Sequence, residues 1–151
     1  MSLMHTRRNA GFTLIELMIT VTTVSFLALT TIPSIRKTTT NWKTRRVAGL
    51  IADDLSQAVA LAGRQRKPVR ISCDCDHGIY RITDRTSGTV LLSRSIGPST
   101  DFGIATVAFS ATAVDVYPAG FTSLVDTVTI TAGDRTRKVV MTTAGQVRIV
   151  P

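Results

Sequence analysis

Within five positions, Cys73-Asp74-Cys75-Asp76-His77 brings together two thiols, two carboxylates and an imidazole, donor types that bind transition metals. The spacing argues against a metal. Structural zinc sites need a second ligand pair elsewhere, and this chain has no third cysteine and only His5 besides His77. The expected state is a thiol pair beside a turn, either free or closed as a tight-loop disulfide between Cys73 and Cys75. Residues i and i+2 of a strand point the same way, so closure requires a bend. No Gly-x-Ser-x-Gly elbow, P-loop or dinucleotide fingerprint is present, so no enzyme, no metal and no cofactor is expected.

Glu16 is the other chemically unusual residue. It is the one charged side chain in an otherwise apolar and hydroxyl-bearing run from Phe12 to Ile35. A carboxylate inside a membrane helix costs about 2.5–3.5 kcal/mol on insertion scales and more in simulations, so its presence there marks function. A third group is cationic: Arg135, Arg137, Lys138 and Arg148 fall on neighbouring predicted strands and form a candidate patch for the phosphates of DNA. The alternative is a solvated strand face, since no aromatic residue stands near them for base stacking.

The elements that must position these groups follow from periodicity. The 151 residues suit one domain, with eighteen Lys and Arg against ten Asp and Glu, a net charge of +8. A basic charge balance favours anionic partners, or simply solubility. Phe12–Ile32 is long enough, at ~1.5 Å per residue, to cover a ~30 Å hydrocarbon core. Its hydroxyls (Thr20, Thr22, Thr23, Ser25, Thr30 and Thr31) can bond back to the preceding turn, and Pro33 should kink or loosen the helix. From Asn41 the helical period continues. Val47, Leu50, Ile51, Leu55, Ala58, Val59 and Ala62 form an apolar stripe; Trp42, Arg45, Arg46, Asp53, Asp54 and Gln57 supply polar positions around it. Trp42 reads as a core or inter-subunit packing residue, with an interface anchor just outside the membrane as the alternative, and Gly63 and Pro68 bracket the helix end. After Pro68 the pattern turns to short strands: Val69–Cys73, Tyr80–Thr83, Thr89–Ile96, Thr106–Ser110, Val114–Tyr117, Val125–Thr131, Arg135–Thr142 and Gln146–Val150. Brief separations make neighbours antiparallel. The fold class is α+β, one long helix on an antiparallel sheet or pair of sheets.

Gly11-Phe12-Thr13-Leu14-Ile15-Glu16-Leu17, behind a leader carrying His5, Arg7 and Arg8, resembles the prepilin signal of type IV pilins and type II secretion pseudopilins. The rival readings are an uncleaved anchor and an ordinary secretory signal. The resemblance implies cleavage after Gly11, N-methylation of Phe12, and a role for Glu16 in filament assembly. It also implies a prepilin peptidase, other pilins and an inner-membrane assembly platform as partners. The implied organisation is leader 1–11, transmembrane assembly helix 12–35, amphipathic continuation 36–66 and a β-rich head 67–151. The basic leader orients the chain as a single-pass inner-membrane protein with its head in the periplasm. Cleavage would remove Arg7 and Arg8, leaving sixteen basic against ten acidic residues, +6.

Pro118-Ala119-Gly120-Phe121, Val128–Thr131, Arg137–Met141 and Gly145-Gln146-Val147-Arg148 resemble the head of the GspH/FimT (FimU) family of minor pilins. Some FimT-type members bind DNA through a Gly-Arg-x-Arg segment near the C-terminus. Here the first arginine is replaced by Gln146, which counts against strong DNA uptake. The resemblance therefore implies a structural subunit of a secretion pseudopilus or type IV pilus, with a DNA-binding competence pilin as the alternative.

Overall fold

The computed structural model describes residues 12–150, with the backbone alone for 30–37. The expected leader, with Gly11, and the side chain of Pro33 lie outside the described residues. Helix α1 (Leu14–Gln65) is followed by β1 (Val69–Asp74), β2 (Ile79–Asp84), β3 (Val90–Ser95), β4 (Thr106–Phe109), β5 (Ala113–Val116), β6 (Asp126–Ala132), β7 (Arg135–Met141) and β8 (Val147–Val150). The fold is α+β with antiparallel pairing throughout. The chain divides into two compact units at Lys37/Thr38.

In the first unit, α1 starts at a capped turn. The Thr13 hydroxyl accepts a hydrogen bond from the Glu16 N–H at 3.3 Å, and Thr13 O accepts the Leu17 N–H at 3.1 Å. Thr13 is thus the N-cap and Glu16 the third helical residue, the Thr-x-x-Glu pattern of a capping box. The hydroxyls further along are satisfied within the helix. Thr20 donates to Leu17 O at 2.8 Å, Thr23 to Ile19 O at 2.7 Å and Ser25 to Val21 O at 2.7 Å. A hydroxyl that returns its proton to the preceding turn presents little unsatisfied polarity outward. Among the described residues, no helix is long and apolar enough to cross a membrane. The expected span, however, includes residues 30–35, whose side chains are not among them.

In the second unit the strands form two four-stranded sheets, ordered β3-β2-β1-β5 and β4-β6-β7-β8. The core has three sources. Val47, Ala48, Ile51, Leu55, Ala58 and Ala62 come from α1. Ile71, Tyr80, Ile82 and Val114 come from the first sheet, and Val128, Ile130, Val139 and Met141 from the second. β6 alternates with period two along its whole length and β1 does so at its start, as half-buried strands do. The chain changes sheets between β4 and β5, where Asp126 holds the crossing: its Oδ1 accepts from the Ser110 hydroxyl at 2.8 Å and the Ala111 N–H at 3.2 Å.

The helix ends at Gln65, between Gly63 and Pro68 as expected, and the residue that leaves helical geometry is Arg66, at φ 53°. A left-handed residue just past the last turn is a common helix terminator, here without glycine. Asp54 is not a peripheral polar position but buried in the core face. Its place follows from spacing: 51, 54, 55 and 58 lie on one side of a 3.6-residue helix. Burial is tolerated because Arg94 grips the carboxylate with two bonds, Nε at 2.9 Å and Nη2 at 3.1 Å, and the Tyr80 hydroxyl donates to it. This cluster ties α1 to β2 and β3. Burial, then the Asp54 hydrogen bond, pushes the Tyr80 phenol far above its ordinary range.

Candidate functional site

At the start of α1, apolar residues face every direction and none is covered. Exposure runs from 57% at Val21 to 81% at Phe12, with Ile15, Leu17, Met18, Ile19, Val24, Phe26 and Leu29 between those values. A helix apolar all round needs lipid or other protein on all sides. Glu16, in its first turn, is exposed beside Leu14, Ile15 and Leu17. The N–H groups of a helix N-terminus favour a carboxylate there, so the local structure supplies one stabilising role for Glu16 before any partner is considered.

The Cys73–Cys75 pair is closed as a disulfide with the Cα atoms 5.1 Å apart. The bend it needs comes where β1 ends at Asp74 and a 3-10 turn, Cys75–His77, begins. Gly78 closes that turn at φ 64°, and a Cβ there would collide with the Gly97 backbone. The His77 imidazole lies 2.9 Å from an Asp74 carboxylate oxygen. That hydrogen bond lowers the Asp74 carboxyl and raises the His77 ring from their ordinary values. Among the described residues no group of three His, Cys, Asp or Glu could hold a metal ion.

The four candidate DNA-contacting cations are not brought onto one face. In β7, Val139 and Met141 point into the core, so Arg135 and Arg137 have inward parity beyond its edge, paired with Ala132 and Ile130. Lys138 lies on the opposite face, and so does Arg148, which pairs with Val140 in β8. Alternation along one strand separates what the linear sequence groups. Gln146 precedes β8 and takes part in a turn, its N–H bonded to the Thr142 hydroxyl at 3.2 Å.

Trp42 is not a core residue. It is 65% exposed, with the Arg46 guanidinium 6.0 Å from its ring centroid and 5.4 Å from that of Phe102. Thr39, Lys43 and Asp101 complete the lining of a shallow groove there of about 210 Å³.

Residues 6–32 match the family model described as the prokaryotic N-terminal methylation motif. Motif and fold together support the type IV pilin and pseudopilin superfamily for this chain. Its fold is similar to crystal structures of the type IV minor pilin FimU of Pseudomonas aeruginosa in two space groups. In one, TM-score is 0.60 at 17% identity, over 74% of this chain and 90% of that one; in the other, 0.57 at 18%, over 71% and 92%. The minor pseudopilin EpsH from the type 2 secretion system of Vibrio cholerae is similar at TM-score 0.56 and 15% identity, over 72% of this chain and 96% of that one. No curated protein shows significant sequence similarity to the chain.

Proposed function

We propose that this chain is a structural, non-enzymatic minor pilin or pseudopilin of the GspH/FimT type. It is cleaved after Gly11, N-methylated on Phe12, held as a single-pass inner-membrane protein with a periplasmic head, and drawn into a filament through α1. Its partners are the prepilin peptidase, the assembly platform and other pilins. The observation that carries this reading is the uncovered apolar surface from Phe12 to Leu29 with one acid in its first turn. Such a surface is stable in lipid and can be transferred into a bundle of like helices. There Glu16 pairs with the ammonium of a neighbouring subunit's Phe12, and charge neutralisation fixes the axial register.

The capping geometry provides the test. Glutamine serves a capping box as glutamate does, but carries no charge. Glu16→Ala and Glu16→Gln should both be cleaved normally and both fail to enter filaments. Recovery of incorporation by Glu16→Gln would assign Glu16 to helix capping instead. The competence-pilin alternative, DNA held by Arg135, Arg137, Lys138 and Arg148, is weakened by the split of those residues between two faces.

A further inference from the structure

A different surface of the head gathers more positive charge. Along β1 and β2, Ile71 and Ile82 are paired and point inward, so Arg70, Arg81 and Thr83 occupy the outer face of the first sheet. Arg85 extends that face, its backbone N–H bonded to Pro68 O at 3.0 Å. Two acids share the face: Asp74, at the end of β1 on the same side as Arg70 and near Arg81, and Asp115 on β5, paired with Arg70 in the ladder. Arg70 Nε lies 2.8 Å from one of its oxygens and Arg85 Nε 3.2 Å from the other. One carboxylate shared by two guanidiniums leaves a net positive charge. It also holds both side chains on the sheet, with N–H groups left over, at little further entropic cost on binding.

The left-handed turn at Arg66 brings α1 into β1 at the end of this face, adding exposed Arg64, Arg66 and Lys67. None of these three, nor Arg81, is within ion-pair distance of a carboxylate among the described residues, although Lys67 and Arg81 act at longer range on Asp84 and Asp74. An aromatic pair borders the same end. Beyond β5 the chain folds back, Tyr117 N–H donating to Phe121 O at 2.9 Å and Ser123 N–H to Asp115 O at 2.8 Å. The Tyr117 and Phe121 rings stack with centroids 4.7 Å apart, and Phe121 is 49% exposed. Tyr117 is close enough to Arg70 to be among the groups that raise its guanidinium from the ordinary value, after Asp115.

We propose that this face is a binding site for single-stranded nucleic acid. Arg64, Arg66, Lys67, Arg81 and the Asp115-anchored arginines neutralise backbone phosphates, and a base stacks on the Phe121–Tyr117 pair. A cationic track beside an open aromatic platform is how strands are held without sequence reading. In a duplex the bases are already stacked, so the platform has nothing to take. Along α1, Arg64 is about 40 Å from Thr38, at ~1.5 Å per residue, which sets the cluster at the far end of the head from where the chain enters it. That distance greatly exceeds the ~8 Å Debye length, which speaks against a lipid surface at the entry end as the anion. The inference is independent of filament assembly and survives if Glu16 proves to be only a cap.

The test is anisotropy of a labelled thirty-nucleotide oligothymidylate with the full chain in non-ionic detergent, titrated with salt. The wild type binds with an affinity that falls steeply as salt rises. Arg64→Gln/Arg66→Gln/Lys67→Gln flattens the log–log slope by about 2, at ~0.7 per single-strand phosphate contact. Phe121→Ala leaves the slope unchanged and weakens binding about fivefold or more, from a stacking contribution of at least ~1 kcal/mol. Arg135→Gln stays within about twofold of wild type, since the turn before it, at Gly133, lies against Thr40 at the other end of the head's helix. Absence of salt-dependent binding, or an unchanged slope in the triple variant, overturns the proposal. Displacement by polyglutamate as effective as by unlabelled oligonucleotide reassigns the face to an acidic protein. Displacement by phosphatidylglycerol-doped micelles reassigns it to lipid.

Discussion

Two stretches of one helix obey opposite rules. From Leu14 to Leu29, α1 exposes nearly everything apolar it has; from Thr44 to Ala62, it buries Val47, Ala48, Ile51, Leu55, Ala58 and Ala62 completely. The compositions differ less than the burial does, since both stretches are rich in aliphatic residues. The difference lies in periodicity. The later stretch interleaves Arg45, Arg46, Asp53 and Gln57 with its apolar positions and so has an inside and an outside, whereas the earlier one has no polar side. The head therefore supplies a solvent for half of its own helix, and the other half requires one from outside the chain.

Substitutions at equivalent chemistry should break or confirm that contrast. Ile51→Ala removes a side chain packed on all sides and should cost the head about 2–5 kcal/mol in urea unfolding followed by near-ultraviolet circular dichroism. Leu17→Ala, on the exposed stretch, should leave that transition unmoved while reducing membrane retention. A Leu17→Ala effect on head unfolding comparable to that of Ile51→Ala would mean the stretches share one core. The two acids give the second contrast. Asp54→Ala leaves the buried Tyr80 hydroxyl without its acceptor, a loss of about 1–3 kcal/mol, while Arg94 can turn to water. Glu16→Ala should not change head stability at all. Equal effects would contradict the division of the helix.

Much of this division was legible in the sequence. The apolar stripe from Val47 to Ala62 carries a 3.6-residue period, and the strands lie within a residue or two of expectation because turn residues punctuate each one. Strand order was not legible. β4 and β5 are close in sequence yet join different sheets, a choice made by long-range pairing and by the Asp126 clasp at Ser110 and Ala111. Helical spacing puts Asp54, and not Asp53, on the apolar stripe, but the pattern does not show what makes a carboxylate tolerable there, which is Arg94 arriving from forty residues away. The basic face escaped notice for the same reason. Arg70, Arg81 and Arg85 are scattered along the chain, and strand pairing assembles them.

Within the head, packing should outweigh the covalent link. The Cys73–Cys75 disulfide closes a loop of only three residues, so the chain-entropy model gives it about 1–2 kcal/mol, less than the loss expected at Ile51. Cys73→Ser/Cys75→Ser should therefore fold, with its urea midpoint lowered by less than that of Ile51→Ala. A double serine variant that fails to fold would show that the turn at Cys75–His77, not the helix–sheet core, nucleates the first sheet.

The smallest expected effect concerns the ion pairs on the outer face. The Arg70 hydrogen bond, against opposing desolvation and with help from the charges of Arg70 and Arg85, holds the Asp115 carboxyl below the usual carboxylate range. A group depressed in the folded state contributes stability above its unfolded value, near 4, and loses it as pH falls through the lower folded value. Asp115→Asn should thus reduce stability at pH 7 by at most ~1 kcal/mol, since both arginines remain solvated. The deficit should shrink progressively below about pH 4, where the wild type loses the same interaction. Asp84 acts in the same sense from a different cause, the backbone N–H groups of Ser87 and Thr86, so the acid limb of Asp115→Asn should be shallower than wild type but not flat. His77 works the other way. Its ring is raised by Asp74, so its contribution is present below the ordinary histidine value and fades as pH rises through the raised one. A pH profile of Asp115→Asn parallel to wild type throughout would show that the carboxylate orders the arginines for a ligand without stabilising the head.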